Sequence, residues 1–134
     1  MIDCAVHVRR GDLTGHNELI SYKMVPVEYF FNAIKYVQKK YGRVKLHFFS
    51  DELDWVETNI CPYIKASYEL VSGHKGYEDL SLIARCPVII SSQGSFGRIG
   101  SMLNESSELI CPQQRNSGFA AVERLRRVTY IPVN

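Results

Sequence analysis

The feature that most constrains this chain is an alternation. Short apolar runs at Cys4–Val8, Val44–Phe49, Pro87–Ile90 and Leu109–Cys111 are separated by stretches whose apolar residues recur at three- and four-residue steps. The clearest of those stretches holds Val27, Phe30, Phe31, Ile34, Val37 and Tyr41. That spacing predicts one amphipathic helix, opened by Pro26 and ended by Gly42. Ser50-Asp51-Glu52 then reads as a helix start, Leu53, Trp55, Val56 and Ile60 as a short apolar face, and Pro62 as its stop. Tyr63 to Val71 reads as a third strand with Ile64, Ala66, Tyr68 and Leu70 on one face. Tyr77 to Arg85 reads as a helix, and Phe96, Ile99 and Leu103 mark another. The order is βαβαβαβαβ. Alternation with short connections implies an α/β domain, a Rossmann-like parallel sheet with helices on both faces. The run Pro87-Val88-Ile89-Ile90 is the expected central strand, covered on both sides. From about residue 113 the pattern weakens into a C-terminal tail, with a helical signal at Ala120–Arg127 and an extended one at Val128–Ile131.

At 134 residues the chain is expected to form a single domain spanning 1–134. Its net charge of +2 is too small to argue for nucleic acid, so positive charge matters only where it is concentrated. Lys35, Lys39 and Lys40 load the second half of the long helix and read as a solvated face. The sequence holds no apolar run of membrane-spanning length and no signal peptide. The expectation is therefore a cytosolic protein, or a piece of a longer one whose targeting segment lies elsewhere. Cys4, Cys61, Cys86 and Cys111 form no C-x-x-C pair and do not suit zinc. Cys4 and Cys86 read as small buried hydrophobes, with one or two disulfides open in an oxidising compartment.

Concentrated positive charge occurs where the first strand ends: Cys4-Ala5-Val6-His7-Val8-Arg9-Arg10-Gly11-Asp12. In an open α/β sheet, ligands bind outside the carboxyl ends of the strands. Two guanidiniums there, beside a glycine that lets the backbone turn, suit an anion with paired oxygens, above all a phosphate. The competing reading is a pair of surface salt bridges. In a parallel sheet the turn after the fourth strand, Ser91-Ser92-Gln93-Gly94-Ser95, emerges on the same edge. Ser95 suits a helix N-cap, and the remaining N–H groups of that helix start would favour an anion. Two phosphate-seeking turns on one edge suggest a diphosphate. Their spacing matches neither the dinucleotide fingerprint nor the Walker loop. Tyr77-Glu78-Asp79 opens a helix at the same edge, where a carboxylate can cap the helix or accept hydrogen bonds from a purine such as guanine.

His7-Val8-Arg9-Arg10-Gly11-Asp12 resembles the H-x-R-R-x-D motif of the α1,2-fucosyltransferases and their α1,6- and O-fucosyltransferase relatives. Phe49-Ser50-Asp51 with Trp55 resembles the family's S-D/N…W segment. Asp79-Leu80-Ser81-Leu82-Ile83-Ala84-Arg85-Cys86 followed by Gly94-Ser95-Phe96-Gly97 resembles its D-L-x-L-x-x-x-C…[SG]-[ST]-F block. The order and spacing hold from residue 3 to about residue 112, and the galactoside α1,2-fucosyltransferase type is the nearest match.

The resemblance implies one half of a GT-B glycosyltransferase fold, an inverting transfer of fucose from GDP-β-L-fucose to a galactose-containing glycan, and no metal cofactor. The chain has no D-x-D that could hold a divalent ion under the diphosphate, in agreement. Carried across, Arg9 grips the β-phosphate and Arg10 is held by carboxylates, Asp12 among the candidates. Asp79 and the backbone around His7 read the guanine. Gly94, Ser95 and Phe96 form the second turn, with Ser95 and adjacent N–H groups on phosphate oxygens. Asp12 is the available candidate for a general base, against a structural pairing with arginine. The resemblance also implies a luminal Golgi protein, joined to the membrane only through a segment outside this chain, and Asn104-Glu105-Ser106 is a glycosylation sequon. Gly97-Arg98-Ile99-Gly100 stands where many relatives carry W-W-G. A GT-B enzyme has two Rossmann-like domains and this chain has length for one. A non-catalytic nucleotide- or glycan-binding remnant, a fucosyltransferase of the α1,6 or O-type, and an unrelated phosphate-handling α/β domain are the alternatives.

Overall fold

The computed structural model describes residues 1–10, 25–73, 76–92, 108–113 and 128–132. Strand β1 (Ile2–Val8) is followed by helix α1 (Val27–Tyr41), strand β2 (Val44–Ser50) and helix α2 (Leu53–Asn59). A 3₁₀ turn (Cys61–Tyr63), strand β3 (Ser67–Leu70) and helix α3 (Gly76–Ala84) come next. Strands β4 (Val88–Ser91), β5 (Glu108–Pro112) and β6 (Val128–Ile131) complete the described elements. The six strands lie in the order β3-β2-β1-β4-β5-β6, and every pairing between them is parallel.

Side chains alternate across a strand, so β1 sends Cys4, Val6 and Val8 to one face and Ala5 and His7 to the other. On the first face Val6, Leu46, Phe48, Val88, Ile90 and Ile110 meet Tyr29, Phe30, Ile34 and Val37 of α1. On the second, Ala5, Phe49, Ile89, Leu109 and Cys111 meet Ile83 of α3 and Cys86 just beyond it. Helices on both faces explain why the central strands are continuously apolar rather than alternating. All four residues of β4 are buried, as the run Pro87–Ile90 led one to expect.

Pro26 stands just outside α1 as its N-cap, one position earlier than a first helical residue, with φ −64° already suited to the turn. Gly42 ends the helix at φ 81°, where a side chain would be strained, and its N–H bonds the Gln38 carbonyl at 2.9 Å.

Three elements depart from expectation. The third strand covers only Ser67–Leu70, because Pro62 starts a 3₁₀ turn instead of ending a helix in open chain. Ile64 and Ala66 still pack on the core from irregular backbone, while Tyr68 is exposed on an edge strand. Strand β5 begins one residue earlier than its apolar run and includes Pro112 at its end, where a missing donor is tolerated. Val128–Ile131, read from sequence as part of a tail, is a sixth strand paired to β5. The helical signals at Phe96–Leu103 and Ala120–Arg127 lie outside the described residues.

All four cysteines are buried as thiols. Burial raises the Cys86 thiol to about 11, with the charges of Asp3 and Glu69 adding to the rise.

Glu108 is a buried carboxylate at the start of β5, 1 % exposed. It accepts hydrogen bonds from Tyr36 (2.6 Å), Lys40 (2.9 Å), Tyr41 and Thr129. Burial alone would raise its pKa; the donors from Thr129, Tyr36, Tyr41 and Lys40 outweigh that and bring it down to about 2. The cluster ties the end of α1 to β5 and β6 on the rim opposite the arginines. Lys40, exposed on the helix surface, reaches this tie with its ammonium group.

Candidate functional site

Parallel pairing puts the carboxyl ends of all six strands on one rim. There, β1 pairs β2 on one side and β4 on the other, and this is the point at which the strand order reverses. His7 is in register with Phe49 and Ser91, and Val8 with Ser50. The turns out of β1, β2 and β4 therefore leave side by side, and the crevice between diverging connections is the ligand position of a doubly wound sheet. The chain after Ser92, including Gly94, Ser95 and Phe96, lies outside the described residues, as do Asp12 and Asn104. The start of the fourth turn is on the arginine rim.

Arg10 is fixed from three sides. Its N–H donates to Asp51 Oδ1 at 2.9 Å, its Nε lies 3.3 Å from Glu52 Oε2, and its guanidinium carbon sits 3.7 Å from the centroid of the Trp55 ring. A guanidinium flat on an indole gains from the ring's negative face as well as from contact area. The residues that hold it come from the turn after β2 and the first part of α2. Ser50 shapes that turn, its Oγ accepting the Glu52 N–H at 3.0 Å. The Ser50-Asp51…Trp55 spacing thus has a physical meaning: one carboxylate takes the main chain of Arg10, the next pairs its side chain, and one helical turn on, the indole supplies a platform. Carboxylates do hold Arg10, as expected: Glu52 pairs its side chain and Asp51 its backbone, while Asp12, the candidate named from sequence, lies outside the described residues.

Arg9 is held through its main chain. Its N–H donates to Ser92 Oγ at 3.0 Å, and the Ser92 N–H donates to the His7 carbonyl at 3.1 Å. From below, the buried Tyr29 hydroxyl reaches the Ser91 carbonyl at 2.5 Å and the Ile110 carbonyl at 3.1 Å. Helix α1 thereby pins the ends of β4 and β5 beneath the turn.

Burial pushes the His7 imidazole down to about 4; the Asp51 carboxylate opposes that fall and the Arg9 guanidinium adds to it. At neutral pH His7 is uncharged, with one N–H and one lone pair, so the positive charge of this corner is guanidinium. Asp79 lies in the first turn of α3, which starts from the carboxyl end of β3 on the same rim, and its Oδ1 is shielded from solvent. The structure thus gathers His7, Arg9 and Arg10 into one corner and sets Asp79 further along its rim. Sequence reasoning did not single out Glu52, Ser92 or Tyr29 for these roles. An acidic pair and a serine directly after strands that flank β1 were the available signal.

A different concavity, of about 180 Å³, opens on the α3 face, lined by Asp3, His47, Phe49, Glu69, Leu82, Arg85 and Cys86. His47 is clasped there by Asp3 at 2.8 Å and Glu69 at 2.6 Å. Two carboxylates in its wall make it a poor host for a diphosphate.

A sequence model of glycosyl transferase family 11 matches residues 3–132. The chain belongs to glycosyl transferase family 11. This family 11 chain is 24 % identical over 115 residues to the O-antigen biosynthesis glycosyltransferase WbnK of Escherichia coli, covering 83 % of itself and 37 % of that protein. Among solved structures it is similar to the NodZ α1,6-fucosyltransferase soaked with GDP-fucose, with a TM-score of 0.52, 19 % identity, and coverage of 78 % of this chain and 36 % of that one. It is also similar to POFUT1 in complex with GDP-fucose, with a TM-score of 0.59, 12 % identity, and coverage of 98 % and 42 %. At such identities the likeness is one of fold: the family 11 chain shares the Rossmann-like architecture of GT-B fucosyltransferases. It spans well under half the length of each of these proteins.

Proposed function

We propose that this chain is the donor-binding half of a fucosyltransferase, in which the crevice at the strand-order reversal binds GDP-fucose. One observation carries the reading: Arg9 leaves β1 at that reversal on a turn clasped to β4, beside a second guanidinium fixed by Trp55 and Glu52. Membership of family 11, and two structural relatives crystallised with GDP-fucose, support the same donor.

In this reading the Arg9 guanidinium faces the β-phosphate. As the bond from the fucose anomeric carbon to the β-phosphate oxygen breaks, negative charge grows on GDP. A donor already fixed in place stabilises that charge more than it stabilises the bound substrate. The acceptor hydroxyl attacks the opposite face of the sugar and inverts the anomeric centre, and its proton leaves to a base, for which Asp12 is the candidate. Arg10 keeps the corner rigid and adds to its field. Neutral His7 leaves the approach uncrowded by a third charge, and its neighbouring backbone, with Asp79, reads the guanine. Ser95 and the N–H groups after Gly94 and beside Phe96 take the remaining phosphate oxygens. The α1,2 linkage, the galactoside acceptor, independence from metal and a luminal Golgi site for the whole protein are carried by the motif resemblance.

Calorimetric titration with GDP in the presence of a chelator tests the reading. Arg9→Ala is expected to weaken binding severely, leaving only residual binding detectable at high GDP concentration, while the circular dichroism spectrum is unchanged. In turnover, loss of one such charge-stabilising donor typically lowers the rate about 10²–10³-fold. Asp79→Ala is expected to weaken GDP more than pyrophosphate. An Arg9→Ala variant that binds GDP like the parent protein refutes the site, and equal losses of GDP and pyrophosphate return Asp79 to a helix-capping role.

A further inference from the structure

We infer that Ser92 is a positioning residue for the phosphate corner: its hydroxyl ends the β1–β4 ladder and fixes the turn that carries Arg9. This rests on the reading of Arg9 as the donor-phosphate ligand.

The ladder geometry makes the case. In a parallel pair each residue of one strand bonds two residues of the other that flank its partner. His7 is in register with Ser91, and the Ser92 N–H duly reaches the His7 carbonyl at 3.1 Å. The next rung would run from the Arg9 N–H to the Ser92 carbonyl. Instead the Arg9 N–H donates to Ser92 Oγ at 3.0 Å, and the Ser92 carbonyl accepts from Ser91 Oγ at 3.0 Å. A side chain has taken the place of a main-chain acceptor. The rung is made through a side chain, and the Ser92 carbonyl takes a side-chain donor of its own strand.

Two consequences follow for the site. Regular main-chain pairing of β1 with β4 ends at this point, on the rim where the crevice lies. Arg9 is also placed by a bond that depends on one hydroxyl rather than on the sheet. Both serines are fully buried, and Tyr29 holds the Ser91 carbonyl, so β4's side of the clasp is anchored in the core. Without the hydroxyl, the Arg9 N–H loses its acceptor, and the turn can either fray or extend the ladder by binding the main-chain carbonyl. Both outcomes move the Arg9 side chain.

The test is a set of GDP titrations on the protein and its variants. Ser92→Ala is expected to weaken GDP about tenfold, the size of one lost hydrogen bond. Ser92→Thr is expected to stay within a few-fold of the parent protein. Ser92→Val, isosteric with threonine but without the acceptor, is expected to behave as Ser92→Ala; this Thr–Val pair decides the matter if the alanine variant does not fold. In an Arg9→Ala background, measured at GDP concentrations that still register residual binding, Ser92→Ala is expected to add no further loss. Equal affinities for the Thr and Val variants, or losses that add independently to Arg9→Ala, overturn the clasp. If Arg9→Ala itself binds GDP normally, the donor-site reading has failed, and that is distinguishable from a failure of Ser92 alone.

Discussion

His7 shows how much one half-buried residue can shape pH behaviour. In the unfolded chain its imidazole takes up a proton near the usual value of about 6.5. In the fold, burial holds it neutral until about 4. Between those values the unfolded state binds more protons, so stability rises with pH and is lost as pH falls through this window. Urea unfolding at pH 7 and pH 4.5 is expected to show a loss of roughly 2–3 kcal/mol, which His7→Gln reduces. At this scale the sequence was partly legible. The pairing of two arginines with a glycine after an apolar strand pointed to the carboxyl rim of the sheet, and the structure gathers His7, Arg9 and Arg10 there. That Arg10 is held by carboxylates came with the motif resemblance, but its partners were not visible, because Glu52 and Trp55 lie more than forty residues away and the placement of a guanidinium over an indole is not encoded by spacing alone.

At the scale of elements, α1 is the component that most couples the two ends of the sheet. Near its start Tyr29 holds β4 and β5 beneath the crevice, and at its end Tyr36, Lys40 and Tyr41 close on Glu108. The stabilisation from Glu108 is present above its ordinary carboxylate range and is lost as pH falls from about 4.5 towards 2, a lower window than that of His7. Glu108→Gln, read by urea unfolding, is expected to lower stability by about 2–3 kcal/mol at pH 7 and by much less at pH 2. The helix itself was plain in the sequence, from a stripe of six apolar residues with clear ends. Its lysines are exposed as read, but a lysine at helical spacing gives no sign that it will also bond a buried carboxylate from a strand 68 residues later. Likewise the third strand was overextended: Ile64 and Ala66 are apolar and inward, yet Pro62 and an edge position leave regular pairing only to Ser67–Leu70.

For the whole molecule, the parallel sheet with helices on both faces was legible because it follows from alternation and from the covered central strands, neither of which needs long-range detail. The sixth strand was not, since Val128-Thr129-Tyr130-Ile131 is short and flanked by polar sequence; it becomes a strand by pairing with β5 and by lending Thr129 to Glu108. A chain ending at residue 127 is expected to unfold with a stability lower by about 3 kcal/mol or more, from lost burial of Ile131 and the broken Glu108 cluster, measured by urea denaturation.

The order β3-β2-β1-β4-β5-β6 also bears on how the sheet is assembled. Taken as the stretch leaves the ribosome, the earliest strand is already the middle one, and each later strand in turn finds an open margin: two arrive on one flank, then three on the other. None of the described strands has to be threaded between neighbours that have already joined, so a nascent chain can lay down this sheet in the direction of its own synthesis.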